Sequence, residues 1–269
     1  VDNEIQPRLG LMAEHGFSVL IERPDVRFLF DTGQGPALEN NSRALGINLA
    51  PLDFVVLSHG HYDHTGGLAT VVQKNPGLRI VAHPDAALPH FAREDEHAVP
   101  RSIGMPSKKE DLEGFGAIFD FQTDYQELAP GVWYSGEVPR EIHSQVDKRL
   151  VNYEQERVVA DAMLDDVSLL LETALGPVVL LGCAHAGVEN IMAHLCSKRS
   201  VTTVAAVLGG THLGLFDAAA TEAAIRTFEN YKVSCLGTSH CTGPEPNTRL
   251  RAYFGSRFHA AQAGAVFEF

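Results

Sequence analysis

Residues 58–67 read Ser-His-Gly-His-Tyr-Asp-His-Thr-Gly-Gly and directly follow the apolar run Phe54-Val55-Val56-Leu57. A short apolar run of this kind is a buried strand. A loop leaving its end can turn His59, His61, Asp63 and His64 toward one point. Neutral imidazoles suit Zn, Fe, Mn or Ni, and the carboxylate adds a hard oxygen, so the pattern implies a borderline divalent metal. A polar surface turn has no need of four such side chains within six positions. Clustered His and Asp after a strand rarely lack a metal or catalytic role.

Around this motif the chain alternates strands and helices. Phe17–Glu22 and Val26–Phe30 read as two strands about a Pro24-Asp25 turn, the second ending at Asp31-Thr32-Gly33. A helix is expected from Pro36 to about Leu45, another over Leu68–Lys74, and a strand over Arg79–Ala82, ending at His83-Pro84. From about Asp85 to Gln155 charges, Pro and Gly are frequent, and only Ile118–Phe121 and Val132–Ser135 look like strands. That stretch reads as one irregular insertion, a lid over the site or a dimer contact.

The second half resembles the first. Ser168–Glu172, a Gly176-Pro177 turn and Val178–Gly182 repeat the hairpin, followed by helices at Val188–Cys196 and Ala218–Asn230 and strands at Val204–Leu208 and Val233–Leu236. Two similar halves predict two packed sheets with helices outside, an α/β arrangement over the one domain 1–269. The second half also places histidines just beyond strand ends, in Gly182-Cys183-Ala184-His185, Gly209-Gly210-Thr211-His212 and Ser239-His240-Cys241. His185 and His240 complete a six-residue ligand set with His59, His61, Asp63 and His64. His212 is left open between metal ligand, support for a ligand and substrate contact.

A net charge of −13 argues against nucleic acid and anionic membrane as partners, since phosphate binding needs clustered Lys and Arg. No run of about 18 apolar residues marks a membrane span. The four cysteines form no Cys-x-x-Cys pair, so reduced thiols in the cytoplasm are expected. Homo-oligomerisation is left open.

Asp31-Thr32-Gly33, the His59–His64 motif, His185 and His240 together resemble the metallo-β-lactamase superfamily over nearly the whole chain. The resemblance implies a four-layer αββα sandwich and a binuclear metal centre at one sheet edge. Glu14-His15-Gly16-Phe17-Ser18, Gly136-Glu137-Val138-Pro139-Arg140, Gly182–Gly187 and His240-Cys241-Thr242-Gly243 resemble one branch of it. That branch is named for 7,8-dihydropterin-6-methyl-4-(β-D-ribofuranosyl)aminobenzene 5′-phosphate synthase, and most of its members are labelled metal-dependent hydrolases.

On this resemblance, His59, His61 and His185 hold one divalent ion and Asp63, His64 and His240 a second, zinc foremost, with Mn, Fe and Ni as alternatives. Water activated between ions about 3.5–4 Å apart would attack a small anionic substrate, a phosphoester or pterin-related compound. Catalytic roles fall to His59, His61 and Asp63. Many superfamily hydrolases carry a bridging Asp where this chain has Cys183, which then either ligates or packs; the third His of the first metal is His185 or another such as His143. Asp31 is expected to hydrogen-bond the His loop, or else to close a turn. Arg140 is the preferred anion contact, ahead of Arg101, Lys108 and Lys109, and His83 is a pocket candidate. His15 belongs to the branch pattern or caps the first strand. His90, His97, His194 and His259 read as ordinary surface or helix residues, and Trp133 and Phe115 as candidates for a ring pocket.

Competing classes are a di-iron redox protein and a metal-containing binding or signalling protein with little turnover. Redox members of the superfamily typically carry Glu where this chain has His61, and a flavin domain besides. A nuclease would need a basic stripe, and a β-lactamase an export signal.

Overall fold

The computed structural model describes residues 1–142 and 146–269, so His143 lies outside the described residues. The chain begins with β1 (Val19–Glu22), β2 (Arg27–Phe30), α1 (Pro36–Leu45), β3 (Phe54–Val56), α2 (Tyr62–Thr65), α3 (Leu68–Lys74) and β4 (Arg79–Ala82). Then follow β5 (Phe91–Ala92), β6 (Arg101–Ser102), α4 (Lys109–Gly114), β7 (Ile118–Phe121), β8 (Gln126–Ala129), β9 (Val132–Tyr134), β10 (Leu150–Glu154) and β11 (Arg157–Ala160). The second half runs β12 (Ser168–Leu171), β13 (Val178–Leu181), α5 (Val188–Lys198), β14 (Ala206–Gly210), α6 (Ala218–Asn230), β15 (Cys235–Ser239), α7 (Pro244–Phe254) and β16 (Phe258–Ala260).

One sheet has the order β1-β2-β3-β4-β7 and the other β16-β15-β14-β13-β12-β9-β8. The repetition in the sequence has a structural counterpart. Each half opens with an antiparallel hairpin, Val19↔Phe30 to Glu22↔Arg27 and Ser168↔Leu181 to Leu171↔Val178. Each then continues through parallel strands, β2-β3-β4-β7 and β13-β14-β15-β16.

Side chains alternate along each strand, and both faces are apolar, as buried parallel strands require. Phe28, Phe30, Phe54 and Val56 face Leu169, Leu171, Val178 and Leu180 between the two sheets. Leu29, Val55 and Leu57 point the other way, onto Leu38 of α1, Leu68 and Val71 of α3 and Leu112 of α4. Leu170, Val179, Leu181 and Val207 likewise meet Ile191 of α5, Phe228 of α6 and Leu250 of α7. The result is four layers, α/β/β/α. Phe30 is fully buried at the middle seam, and truncating it to alanine would cost roughly 3–5 kcal/mol.

Residues 85–155 are more regular than their composition predicts. β7 joins the first sheet and β8 and β9 the second, while β5 and β6 with β10 and β11 form a third, four-stranded sheet. β5 and β6, of two residues each, carry no readable periodicity, and the part-exposed β10 and β11 lack a sustained buried apolar run. Ile103, Leu150 and Met163 anchor this small sheet, packed with Ala92 against Tyr62. The Tyr62 amide donates to Ile103 O at 2.8 Å. Strands β14 and β15 lie two residues later than their apolar runs, because the small residues Gly209 and Gly210 continue the parallel ladder against Thr238 and Ser239. Among the described residues no helix is long and apolar enough to cross a membrane.

Candidate metal centre

Five strand ends converge on one edge of the sandwich. β2 delivers Asp31, β3 the His59–His64 loop, β13 Cys183 and His185, β14 His212, and β15 His240. Asp31, Ala184, His212 and His240 have φ of 62°, 59°, 54° and 52°. Left-handed backbone at a non-glycine residue costs about 1–3 kcal/mol and persists where surrounding structure fixes it. Four such residues at one edge mark where the fold accepts strain to aim side chains inward.

The rings are held from outside and bare on the inside. His59 Nδ1 lies 2.9 Å from Ser58 Oγ, His64 Nδ1 2.7 Å from Asp31 Oδ2, and His240 Nδ1 2.9 Å from Asn3 Oδ1. Asp31 also accepts from Ser58 N at 2.7 Å and Ser58 Oγ at 2.6 Å, so a single buried carboxylate fixes the start of the His loop. Inside, His59 Nε2 is 2.9 Å from His61 Nδ1, and His64 Nε2 is 3.2 Å from both His240 Nε2 and Cys183 Sγ. Asp63 Oδ2 is 3.3 Å from His240 Nε2 and 3.1 Å from His15 Nε2. His61 Nε2, His185 Nε2 and His212 Nδ1 are buried with no hydrogen-bond partner.

Burial holds His59 and His185 well below the ordinary histidine range and His61 down to about 4, so all three are neutral with lone pairs available. Burial also opposes charge on His64, but Asp31 and Asp63 carry it up to about 9. Burial opposes ionisation of Asp63 too, yet His64, His15 and His240 keep it well below the usual carboxylate range. Buried imidazoles whose donor atoms converge beside an ionised carboxylate are a donor set that a divalent cation satisfies. The residues present therefore fit a metal.

Among the described residues, four groups each have their donor atoms within 4.8 Å of one another: His59-Cys183-His185, His64-Cys183-His240, His15-Asp63-His240 and Cys183-His212-Cys241. Five of the six expected ligands fall in these groups, and His61 adjoins them, ring-to-ring with His59 at 4.4 Å and His185 at 5.2 Å. Cys183 sits between the two histidine groups and belongs to three of the four sets. His15, half-exposed, reaches Asp63.

A cavity of about 370 Å³ opens over this edge, lined by His61, Asp63, His185, His212 and His240 on one side and by Arg93, Arg101, Arg149 and Leu150 of the small sheet on the other. A larger groove of about 860 Å³ beside β16 gathers no comparable donor set among the described residues. Arg140, expected to contact the substrate anion, instead donates from Nη2 to Met163 O at 2.8 Å and is absent from the cavity wall. His83 is also outside it, with Nε2 3.1 Å from Glu137 and Nδ1 accepting from Asp85 N. Lys109 pairs with Glu113; Trp133 stacks on Tyr125 under Arg199, and Phe115 is exposed.

His90 is the clearest departure from the sequence-based expectation. It is buried, with Nδ1 2.8 Å from Asp161 Oδ2, Nε2 3.4 Å from Asp165 Oδ2, and its ring edge-on to His61 at 5.4 Å. Asp165 and Asp161 come from a loop 70 residues away, so nothing local in the sequence announces the pairing. Cys241, Asp147 and Asp166 were likewise unassigned, although Cys241 stands next to His240.

The metallo-beta-lactamase superfamily model matches residues 12–195. The chain belongs to the metallo-beta-lactamase superfamily. It is 31% identical over 267 residues to the 7,8-dihydropterin-6-methyl-4-(beta-D-ribofuranosyl)-aminobenzene-5′-phosphate synthase of Methanocaldococcus jannaschii, covering 96% of this chain and 90% of the relative. Among solved structures, one described as a metal-dependent hydrolase of the beta-lactamase superfamily superposes with a TM-score of 0.82 at 26% identity, over 100% of this chain and 96% of the other. A diphosphatase of the PhnP family shares the fold, with a TM-score of 0.53 and 15% identity over 94% and 83% of the two chains. The αββα layering described above is the metallo-beta-lactamase fold.

Proposed function

We propose that this chain is a metal-dependent hydrolase whose substrate is a small anionic molecule, a phosphoester or pterin-related compound. His59, His61 and His185 would hold one divalent ion and Asp63, His64 and His240 a second, zinc foremost, with Cys183 between them. The observation that carries this is the convergence, among the described residues, of the donor groups His59-Cys183-His185 and His64-Cys183-His240 beneath an arginine-bearing cavity wall. When bound, such ions supply Lewis-acid polarisation of the substrate oxygen and a water acidified toward neutral pH.

The chain's own groups supply the rest. Asp63 Oδ2, which faces His15 and His240, would orient the attacking water and take its proton. Arg101 lies opposite Ala92, which pairs in turn with Leu150, and it lines the cavity; with Arg93 and Arg149 engaged by Glu96 O and Asp147, it would be the anion contact. Tyr62, Ile103 and Leu150 form an apolar wall that limits water at the mouth. The small sheet thereby acts as the lid.

The name of the M. jannaschii relative contains both a pterin and a 5′-phosphate, which supports an anionic, ring-bearing substrate. It also favours a second reading, synthase chemistry run by the same metals. The decisive experiment is elemental analysis of protein purified without added metal, followed by turnover assays on phosphodiesters, phosphomonoesters and lactones with and without a chelator. Chelator-sensitive hydrolysis supports the proposal. Metal uptake with no turnover on any of them would overturn the hydrolase assignment and favour a binding or synthase role.

A further inference from the structure

We infer that Cys183, His212 and Cys241 form an additional position for a thiophilic divalent ion, zinc or cobalt, beside the six-residue cluster. It extends the metal reading given above, because Cys183 borders both. One donor atom from each of the three residues lies within 4.8 Å of the others. Both cysteines are free thiols.

The surroundings are built for ligation. Asp147 Oδ2 lies 3.4 Å from His212 Nε2, and Arg149 fixes Asp147 through Nε at 3.0 Å and Nη2 at 2.9 Å. With Nε2 so engaged, Nδ1 is the free nitrogen, and it is buried without a partner. A carboxylate on the outer nitrogen is what orients and strengthens a metal-binding histidine. The backbone amide of His212 donates to Cys241 Sγ at 3.3 Å, a contact that favours an anionic sulfur.

The backbone also makes room for the sulfur. A Cβ on Gly210 would stand 2.7 Å from Cys241 Sγ and 2.5 Å from Gly182 O, so only glycine lets the thiol in. Thr211 donates through N and Oγ1 to Thr242 Oγ1 at 3.2 and 3.0 Å, tying the β14 and β15 loops together. His212 and Cys241 are therefore held at a fixed separation. Two sulfurs and an imidazole select zinc or cobalt over magnesium or manganese, which prefer oxygen. Three protein donors leave a fourth tetrahedral position open toward the cavity.

Cobalt(II) loading tests the inference, read by absorption and by metal per chain. The wild type is expected to show visible ligand-field bands together with near-ultraviolet thiolate-to-cobalt absorption. Cys241→Ser is expected to lose part of the near-ultraviolet absorption and to bind less cobalt while keeping visible bands. Visible bands without thiolate absorption in the wild type, or absorption undiminished in Cys241→Ser, would overturn the thiol position and leave the histidine cluster standing. No cobalt retained at all would overturn both.

Should Cys241→Ser fail to fold, alkylation of wild-type protein with iodoacetamide decides. Zinc is expected to protect Cys241 while Cys235, half-exposed in the groove beside β16, reacts equally with and without the metal. Equal labelling of Cys241 in both conditions would overturn the inference.

Discussion

Asp165 and Asp166 are neighbours in the chain, yet each holds a different histidine-bearing loop. Asp165 Oδ2 accepts from the Gly60 amide at 2.7 Å, and Asp166 Oδ2 accepts from the Ala186 amide at 2.8 Å. Both carboxylates are buried just before β12. One dipeptide thus sets the spacing between the first-sheet loop of His59 and His61 and the second-sheet loop of His185. Asp165→Ala strips the Gly60 amide of its acceptor, and a buried unsatisfied donor costs about 1–3 kcal/mol. Metal affinity should fall roughly 10–100-fold, as for other groups that orient ligands. Competitive metal titration and urea unfolding read the two effects; unchanged affinity would show that the loop holds itself.

His61→Ala should abolish metal-dependent turnover while leaving the fold intact. The ring fills no part of the three large apolar clusters and lines the cavity, and its Nε2 is buried without a partner. Circular dichroism and the substrate panel above check both halves, and undiminished turnover would sink the assignment.

Arg101→Ala and Arg140→Ala should separate. Loss of a charge-assisted contact to a substrate anion costs about 1.5–3 kcal/mol, or roughly 10–150-fold in kcat/KM. That loss is expected in KM for Arg101→Ala alone, because Arg140 is committed to Met163 O outside the cavity. Steady-state kinetics on an anionic and a neutral substrate decide it. A larger loss for Arg140→Ala would return that residue to the substrate.

The buried His90 gives stability a pH signature. Burial alone would lower its pKa, but the carboxylates of Asp161 and Asp165 carry it up to about 10. A group raised above its ordinary 6.5 stabilises fully below that value and loses its contribution as pH climbs toward about 10. Asp165 runs the other way. Burial opposes its ionisation, but His90 holds its pKa below 3.8, so its contribution is present above that value and lost on acidification through the lowered one. The urea midpoint should therefore fall between about pH 7 and 10, and His90→Gln should flatten that limb. Parallel profiles in the two proteins would exclude His90 as the cause.

The layers and much of the site were legible because both rest on local pattern. α1, α3, β4, β7 and α6 fall where apolar periodicity and caps place them, and the His59–His64 loop announces itself by spacing. What stayed hidden depends on long-range pairing. β5, β6 and β16 are two or three residues long, too short for any period to show. His90 looked ordinary since its partners, Asp161 and Asp165, lie more than 70 positions away. The position of the Arg140 side chain was hidden for the opposite reason: a recognisable motif says nothing about where a long flexible side chain finds its acceptor. Cys241 sat beside a recognised histidine, but its relation to Cys183 exists only once β13 and β15 flank β14.

Both halves of the chain contribute to the cluster, and His64 meets His240 across 176 residues. Any ion held between them is bound by both sheets at once and by neither alone. Its binding free energy then becomes adhesion between the halves, growing with free metal as mass action requires. In such a molecule the cofactor is also a rivet. Starvation for metal would loosen the middle seam before any helix frayed, so that catalytic competence and resistance to proteolysis would decline together.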